Sequence, residues 1–129
     1  MVTVVTGPPC SGKSTYIRDH AKPGDIVIDM DRIALAISVE GTEHHGYDDN
    51  ARALARTMRE VAVRAVLAAA DVVDSWVIDT RPSGDRRRQY AAVRAKVVTI
   101  DPGIEVCLQR ALTERPAWVQ QTIRDYYAA

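Results

Sequence analysis

A chain of 129 residues is expected to form one domain, residues 1–129, that buries roughly two thirds of its unfolded surface around a single core. Its 17 basic and 17 acidic side chains cancel, so no global field draws it onto DNA or a membrane, and contact with nucleic acid must come from a local patch. Two cysteines, Cys10 and Cys107, do not suggest a disulfide framework, which suits a reducing cytoplasm; no apolar run approaches the ~20 residues that span a bilayer, and neither signal peptide nor anchor is expected.

The apolar run Met1–Thr6 reads as a buried parallel strand and leads into Gly7-Pro8-Pro9-Cys10-Ser11-Gly12-Lys13-Ser14, after which Ser14-Thr15-Tyr16-Ile17 continues as a helix. This matches G-x-x-x-x-G-K-[ST] in the strand, loop and helix context its chemistry requires. Backbone N–H groups of the loop and of the helix start, among them those of Gly7, Cys10, Ser11, Gly12 and Thr15, are placed to surround a polyphosphate. Lys13, expected to stand exposed in the empty loop, can reach the β and γ phosphates of ATP, and the Ser14 hydroxyl can ligate Mg²⁺. Cys10 at a variable loop position reads as a small filler residue.

Lys22-Pro23-Gly24-Asp25 forms a turn before Ile26-Val27-Ile28, a short run suited to a second buried strand. Asp29 and Asp31 follow, at the carboxyl end of that strand, where open α/β sheets place their ligands. Ile33, Ala34 and Ile37 then begin a short helix, which Asp31 is alternatively suited to cap. From Ser38 to Asn50 all periodicity disappears, as in functional or mobile loops; His44 and His45 there read as exposed rather than as ligands.

The longest helix runs from a cap at Asn50 or Asp49 to about Ala70. Its predicted buried face carries Leu54, Met58, Val61, Ala62, Ala65 and Ala69, with Arg52, Arg56 and Arg59 on the opposite side, most simply a solvated face and alternatively a contact for an acceptor's phosphates. Trp76-Val77-Ile78-Asp79 is a third strand ending in a carboxylate, the pattern of a Walker B strand whose Asp holds Mg²⁺ or one of its waters. After the turn Arg81–Gly84, Asp85 to about Arg94 forms a helix whose arginines, Arg86, Arg87 and Arg88, are mostly exposed. Val97–Ile100 is the fourth strand, stopped by Asp101-Pro102-Gly103. A helix with Ile104, Cys107, Leu108 and Ala111 on one face leaves Arg110 off that stripe. Thr113–Pro116 separates it from a last amphipathic segment carrying Trp118, Thr122, Ile123 and Tyr126. The sum is a three-layer α/β fold, a short and mostly parallel sheet flanked by helices.

Taken together, the phosphate loop, Ile28–Arg32, Val77–Thr80, Asp85–Arg88 and Val106–Arg115 resemble, in order along nearly the whole chain, the kinase domain of the 5′-hydroxyl polynucleotide kinase family of P-loop phosphotransferases. The resemblance implies a P-loop kinase fold and transfer of the ATP γ-phosphate to a hydroxyl of a nucleic acid or nucleotide, a 5′-OH end or a hydroxymethyl-pyrimidine in DNA. It implies Asp31 as general base, Asp79 at the metal side, and a lid arginine at Arg110 or Arg115. Arg81 stands where the family often has Asn, and Ala34 where it has an acceptor-positioning Arg. A small-molecule kinase, with Ser38–Asn50 forming the acceptor pocket, and an ATPase or nucleotide-binding module without a phosphoryl acceptor are the alternatives.

Overall fold

The computed structural model describes residues 1–129. Four strands, β1 (Val2–Thr6), β2 (Ile26–Ile28), β3 (Ser75–Ile78) and β4 (Lys96–Thr99), form one sheet in the order β2-β3-β1-β4, every pair parallel. Six helices flank it: α1 (Lys13–His20), α2 (Met30–Ala36), α3 (Asp49–Ala68), α4 (Gly84–Ala92), α5 (Ile104–Glu114) and α6 (Val119–Ala128). β1 lies in the interior of the sheet with all five residues buried, as its unbroken apolar run requires of a strand covered on both faces. The connection leaving β1 crosses to the β2 edge, whereas the one leaving β3 crosses to the β4 edge. This reversal opens a crevice at the carboxyl end of β1, where the glycine-rich loop begins.

The main core joins Val2, Val4, Ile28 and Val77 of the sheet to Val63 and Val66 of α3 and Tyr90 of α4. Full burial of each valine contributes on the order of 1.5–3 kcal/mol. A second cluster, Cys107, Ala111, Val119 and Ile123, locks α5 to α6 and has Cys10 of the loop packed against it. A third, Ala34, Tyr47 and Ala55, ties α2 to α3 through the segment between them.

Three expectations change. β2 is an edge strand, with Ile26 exposed and only Ile28 buried, because β3 inserts between it and β1. α3 is capped by Asp48, whose side chain accepts from Ala51 N–H at 2.9 Å, not by Asp49 or Asn50. Its buried face is also rotated from the predicted one: Leu54, Met58 and Val61 are 57%, 44% and 55% exposed, while Ala55, Val63 and Val66 are buried. One residue is about 100° of rotation. α3 is so rich in alanine that hydropathy defines two faces almost equally well, and close packing against α2 selects the one with small Ala55.

Candidate functional site

The loop after β1 closes tightly under the sheet end. A Cβ at Gly7 would stand 2.1 Å from the Ile100 carbonyl oxygen, and the backbone there has φ +140°, so the position excludes every side chain. Gly12, at φ +102°, turns the chain into α1, which has no side-chain cap. The first N–H groups of α1 are therefore left for an anion. Residues Pro9 through Thr15 line one cavity of about 990 Å³, with Gly7 shaping the loop beneath it.

Lys13 is not exposed as expected. It is 8% accessible, and its Nζ donates to the carbonyls of Gly7 at 2.8 Å and Pro8 at 2.6 Å. Burial, with a smaller push from the Arg115 charge, lowers its pKa to about 8 against the opposing influence of Cys10, Cys107 and Asp29. The ammonium is thus short of counter-charge, which a polyphosphate would supply. Ser11 Oγ, buried and without a hydrogen-bond partner, is a second unmet group in the same loop. Both observations fit an anion held here.

Asp29 and Asp31 divide their work. Asp29 is the cap of α2, accepting from Asp31 N–H at 3.1 Å. Burial first, and then the Asp31 charge, raise its pKa. Asp31, for which capping was the alternative, lies in the first turn of α2, and its carboxylate accepts from the Tyr47 hydroxyl and lines the cavity. Asp79 lines the cavity after β3, with Oδ2 accepting from Tyr90 at 2.8 Å and standing 3.4 Å from Arg59 Nη2. Burial and the Asp79 charge raise the Tyr90 pKa, so the phenol stays a donor. No group of three or more His, Cys, Asp or Glu converges to hold a metal. The set fits Mg²⁺ of the kind bound through one or two protein oxygens, waters and substrate phosphates, with Ser14 and Asp79 as the available oxygens.

α5 ends at Glu114, as Pro116 dictates, and leaves Arg115 in extended backbone at φ −135°. Arg115 and Arg110 both line the cavity. Arg110 donates to Cys10 O at 3.1 Å, on the outer side of the phosphate loop. After burial, the Arg115 charge also depresses the pKa of both Lys13 and His45, so its guanidinium acts on both ends of the cavity.

The sequence reading preferred solvent for what proves to be one wall. Arg52, Arg56 and Arg59 all line the cavity, Arg52 and Arg59 half-buried and Arg56 still exposed, a consequence of the rotated face of α3. Arg52 lies over the rings of both Tyr47, at 5.0 Å, and Trp118, at 5.1 Å, and Trp118 remains 54% exposed at the cavity mouth. His45 was expected to be exposed, yet only 11% of its side chain is accessible; His44 is exposed as expected. Arg87 and Arg88 are exposed, as expected of most of the three arginines, and Arg86 is half-buried against Glu60. The faint signal in the sequence was the Arg52, Arg56, Arg59 spacing itself, i, i+4 and i+7 on one helix face.

A phosphate loop at the crevice of a parallel sheet, with carboxylates at the ends of β2 and β3 facing it, defines a P-loop nucleotide-binding domain of the kinase-like class. A protein-family model described as an AAA domain matches residues 2–117, and the chain belongs to that family. No curated protein is significantly similar to it. No helix is long and apolar enough to cross a membrane.

Proposed function

We propose that the protein is an ATP-dependent kinase that transfers the γ-phosphate to a hydroxyl of a nucleic acid or nucleotide. One observation carries this reading. Residues from separate segments, Lys13, Asp31, Asp79, Arg110 and Arg115, face a single cavity, and beyond Asp31 its wall holds Arg52, Arg56 and exposed Trp118. Basic side chains beside an aromatic ring suit a phosphodiester and a stacking base.

In this reading the loop N–H groups and Lys13 bind the donor polyphosphate, and Mg²⁺, held through Ser14 and Asp79, would supply neutralisation of phosphate charge. Asp31 accepts the proton of the attacking hydroxyl and orients it. Tyr47 occupies Asp31 Oδ1, leaving Oδ2 for the substrate. Arg115 stabilises charge on the transferring group, and Arg110 steadies the loop through Cys10 O. Such positioning and charge stabilisation is most of what phosphoryl transfer asks of a protein.

A small-molecule kinase is the second reading, favoured by the loop before α3, which contributes His45 and Tyr47 to the acceptor corner. Transfer of radiolabelled γ-phosphate to single-stranded DNA, RNA, duplex with hydroxymethyl-pyrimidine, nucleosides and water separates the readings. Label on oligonucleotides supports the first; label on nucleosides alone supports the second; release to water alone refutes the first and favours an ATPase without a phosphoryl acceptor.

A further inference from the structure

The loop before α3 places one side chain whose chemistry the mechanism above leaves unused. His45 lines the cavity beside Asp31, its Nδ1 3.4 Å from the Tyr47 hydroxyl oxygen and 3.8 Å from Asp31 Oδ1. Its Nε2 is buried from solvent and has no hydrogen-bond partner. The residue sits at φ +64°, in the left-handed region that histidine enters more readily than most side chains. It is the unpaired, buried nitrogen that sets His45 apart from a surface histidine, whose ring nitrogens are satisfied by water.

The partners of Nδ1 decide the tautomer. Asp31 as a carboxylate only accepts, and the Tyr47 O–H is spent on it. Nδ1 therefore faces oxygen lone pairs from both neighbours and carries the ring proton. In a neutral imidazole this leaves Nε2 as a bare acceptor. The ring is neutral because burial lowers its pKa to about 4, assisted by the charges of Arg115, His44 and Arg52; Asp31 is the opposing influence, and Tyr47 is held as the neutral phenol by burial and by Asp31.

We infer that His45 is a specificity-determining residue of the acceptor end: its Nε2, closed off from solvent, is uncovered as the acceptor enters and takes a hydrogen bond from a second O–H or N–H group on the molecule whose hydroxyl Asp31 activates. This rests on the reading of Asp31 as the acceptor-side base. The ligand class is an acceptor with two donors a few ångströms apart, such as a nucleotide with a sugar hydroxyl or a base N–H beside the reacting group. An acceptor with a single hydroxyl leaves Nε2 desolvated and unpaired, and is discriminated against for that reason.

Two measurements test it. Nitrogen-15 NMR of the wild-type protein labelled at histidine, with the His45 signals assigned by their loss in His45→Gln, reads tautomer and titration directly. The expected result is the Nδ1–H form, neutral down to below pH 5; an Nε2–H form, or a midpoint near that of a solvated imidazole at about 6.5, overturns the inference. In γ-phosphate transfer to a 5′-hydroxyl oligouridylate, His45→Ala should raise the acceptor KM at least tenfold with the ATP KM unchanged. His45→Gln, which keeps an acceptor oxygen, should recover most of that loss. An unchanged acceptor KM in His45→Ala also overturns the inference. If the wild-type protein labels no oligonucleotide, the nucleic-acid reading fails separately, and the tautomer then decides the role of His45 without it.

Discussion

Replacing Lys13 by methionine keeps the length of the side chain and removes its charge. In the folded chain burial holds the ammonium at about 8, against an ordinary 10.5. That difference is about 3 kcal/mol of penalty on the charged form, at ~1.4 kcal/mol per pH unit. Below pH 8 both folded and unfolded chains are protonated and the penalty is felt in full. Between 8 and 10.5 the unfolded chain binds more protons than the folded one, so stability rises with pH through this window. Wild type should therefore gain about 2 kcal/mol relative to Lys13→Met between pH 7.5 and 9.5. Tyr47 and Tyr90, raised by burial, are present in both proteins and cancel in the comparison. Loss of the hydrogen bonds to Gly7 O and Pro8 O, about 1.5–3 kcal/mol each, cancels or outweighs the relief at pH 7.5. The net cost of at most about 3 kcal/mol lies below the ~5–15 kcal/mol typical of a folded domain, so the variant is expected to fold. Urea unfolding of both proteins at several pH values, followed by circular dichroism, measures the difference. A stability difference that stays flat from pH 7.5 to 9.5 would show that Lys13 is not a desolvated ammonium. Undiminished phosphoryl transfer by a folded Lys13→Met would remove the basis of the kinase reading.

Further outcomes follow from the same geometry. Asp31→Asn should bind MgATP normally and lose transfer by roughly 10² or more, whereas Asp29→Asn, which keeps an oxygen to cap α2, should stay within a few-fold of wild type. Weakened ATP binding with intact turnover in Asp31→Asn would count against its role as base. Arg115→Lys should lose turnover heavily with little change in ATP affinity, because a lysine cannot reproduce the planar fork of donors; Arg110→Lys should be tolerated. Equal turnover in the two variants would remove the lid assignment. Trp118→Ala should raise the KM for a single-stranded oligonucleotide by roughly tenfold, in line with about 1–3 kcal/mol per stacked base, and leave the ATP KM alone. An unaffected KM would mean that the base lies elsewhere.

Local chemistry made the phosphate loop legible from sequence. Gly7, Gly12, Lys13 and Ser14 owe their positions to backbone turns and anion contacts within a few residues, so spacing alone identifies them. The apolar runs of β1 and β3, the aspartates at the ends of β2 and β3, and the stop imposed by Pro116 were readable for the same reason. Which face of α3 points inward was not local. Leu54, Met58 and Val61 are more apolar than Ala55, yet the close approach of α2 needs a small residue, and that rotation carries Arg52, Arg56 and Arg59 into the cavity. Lys13 likewise looked exposed because the carbonyls that enclose it point inward only once the loop has closed beneath the sheet. The corner formed by Asp31, Tyr47 and His45 joins residues up to 16 apart across an aperiodic loop. Trp118 reaches Arg52 from the far end of the chain only because α5 and α6 pack through Cys107, Ala111, Val119 and Ile123. Short-range steric and hydrogen-bonding rules are written in neighbouring residues, whereas burial depends on which surfaces meet, and that is decided by the packing of the whole chain.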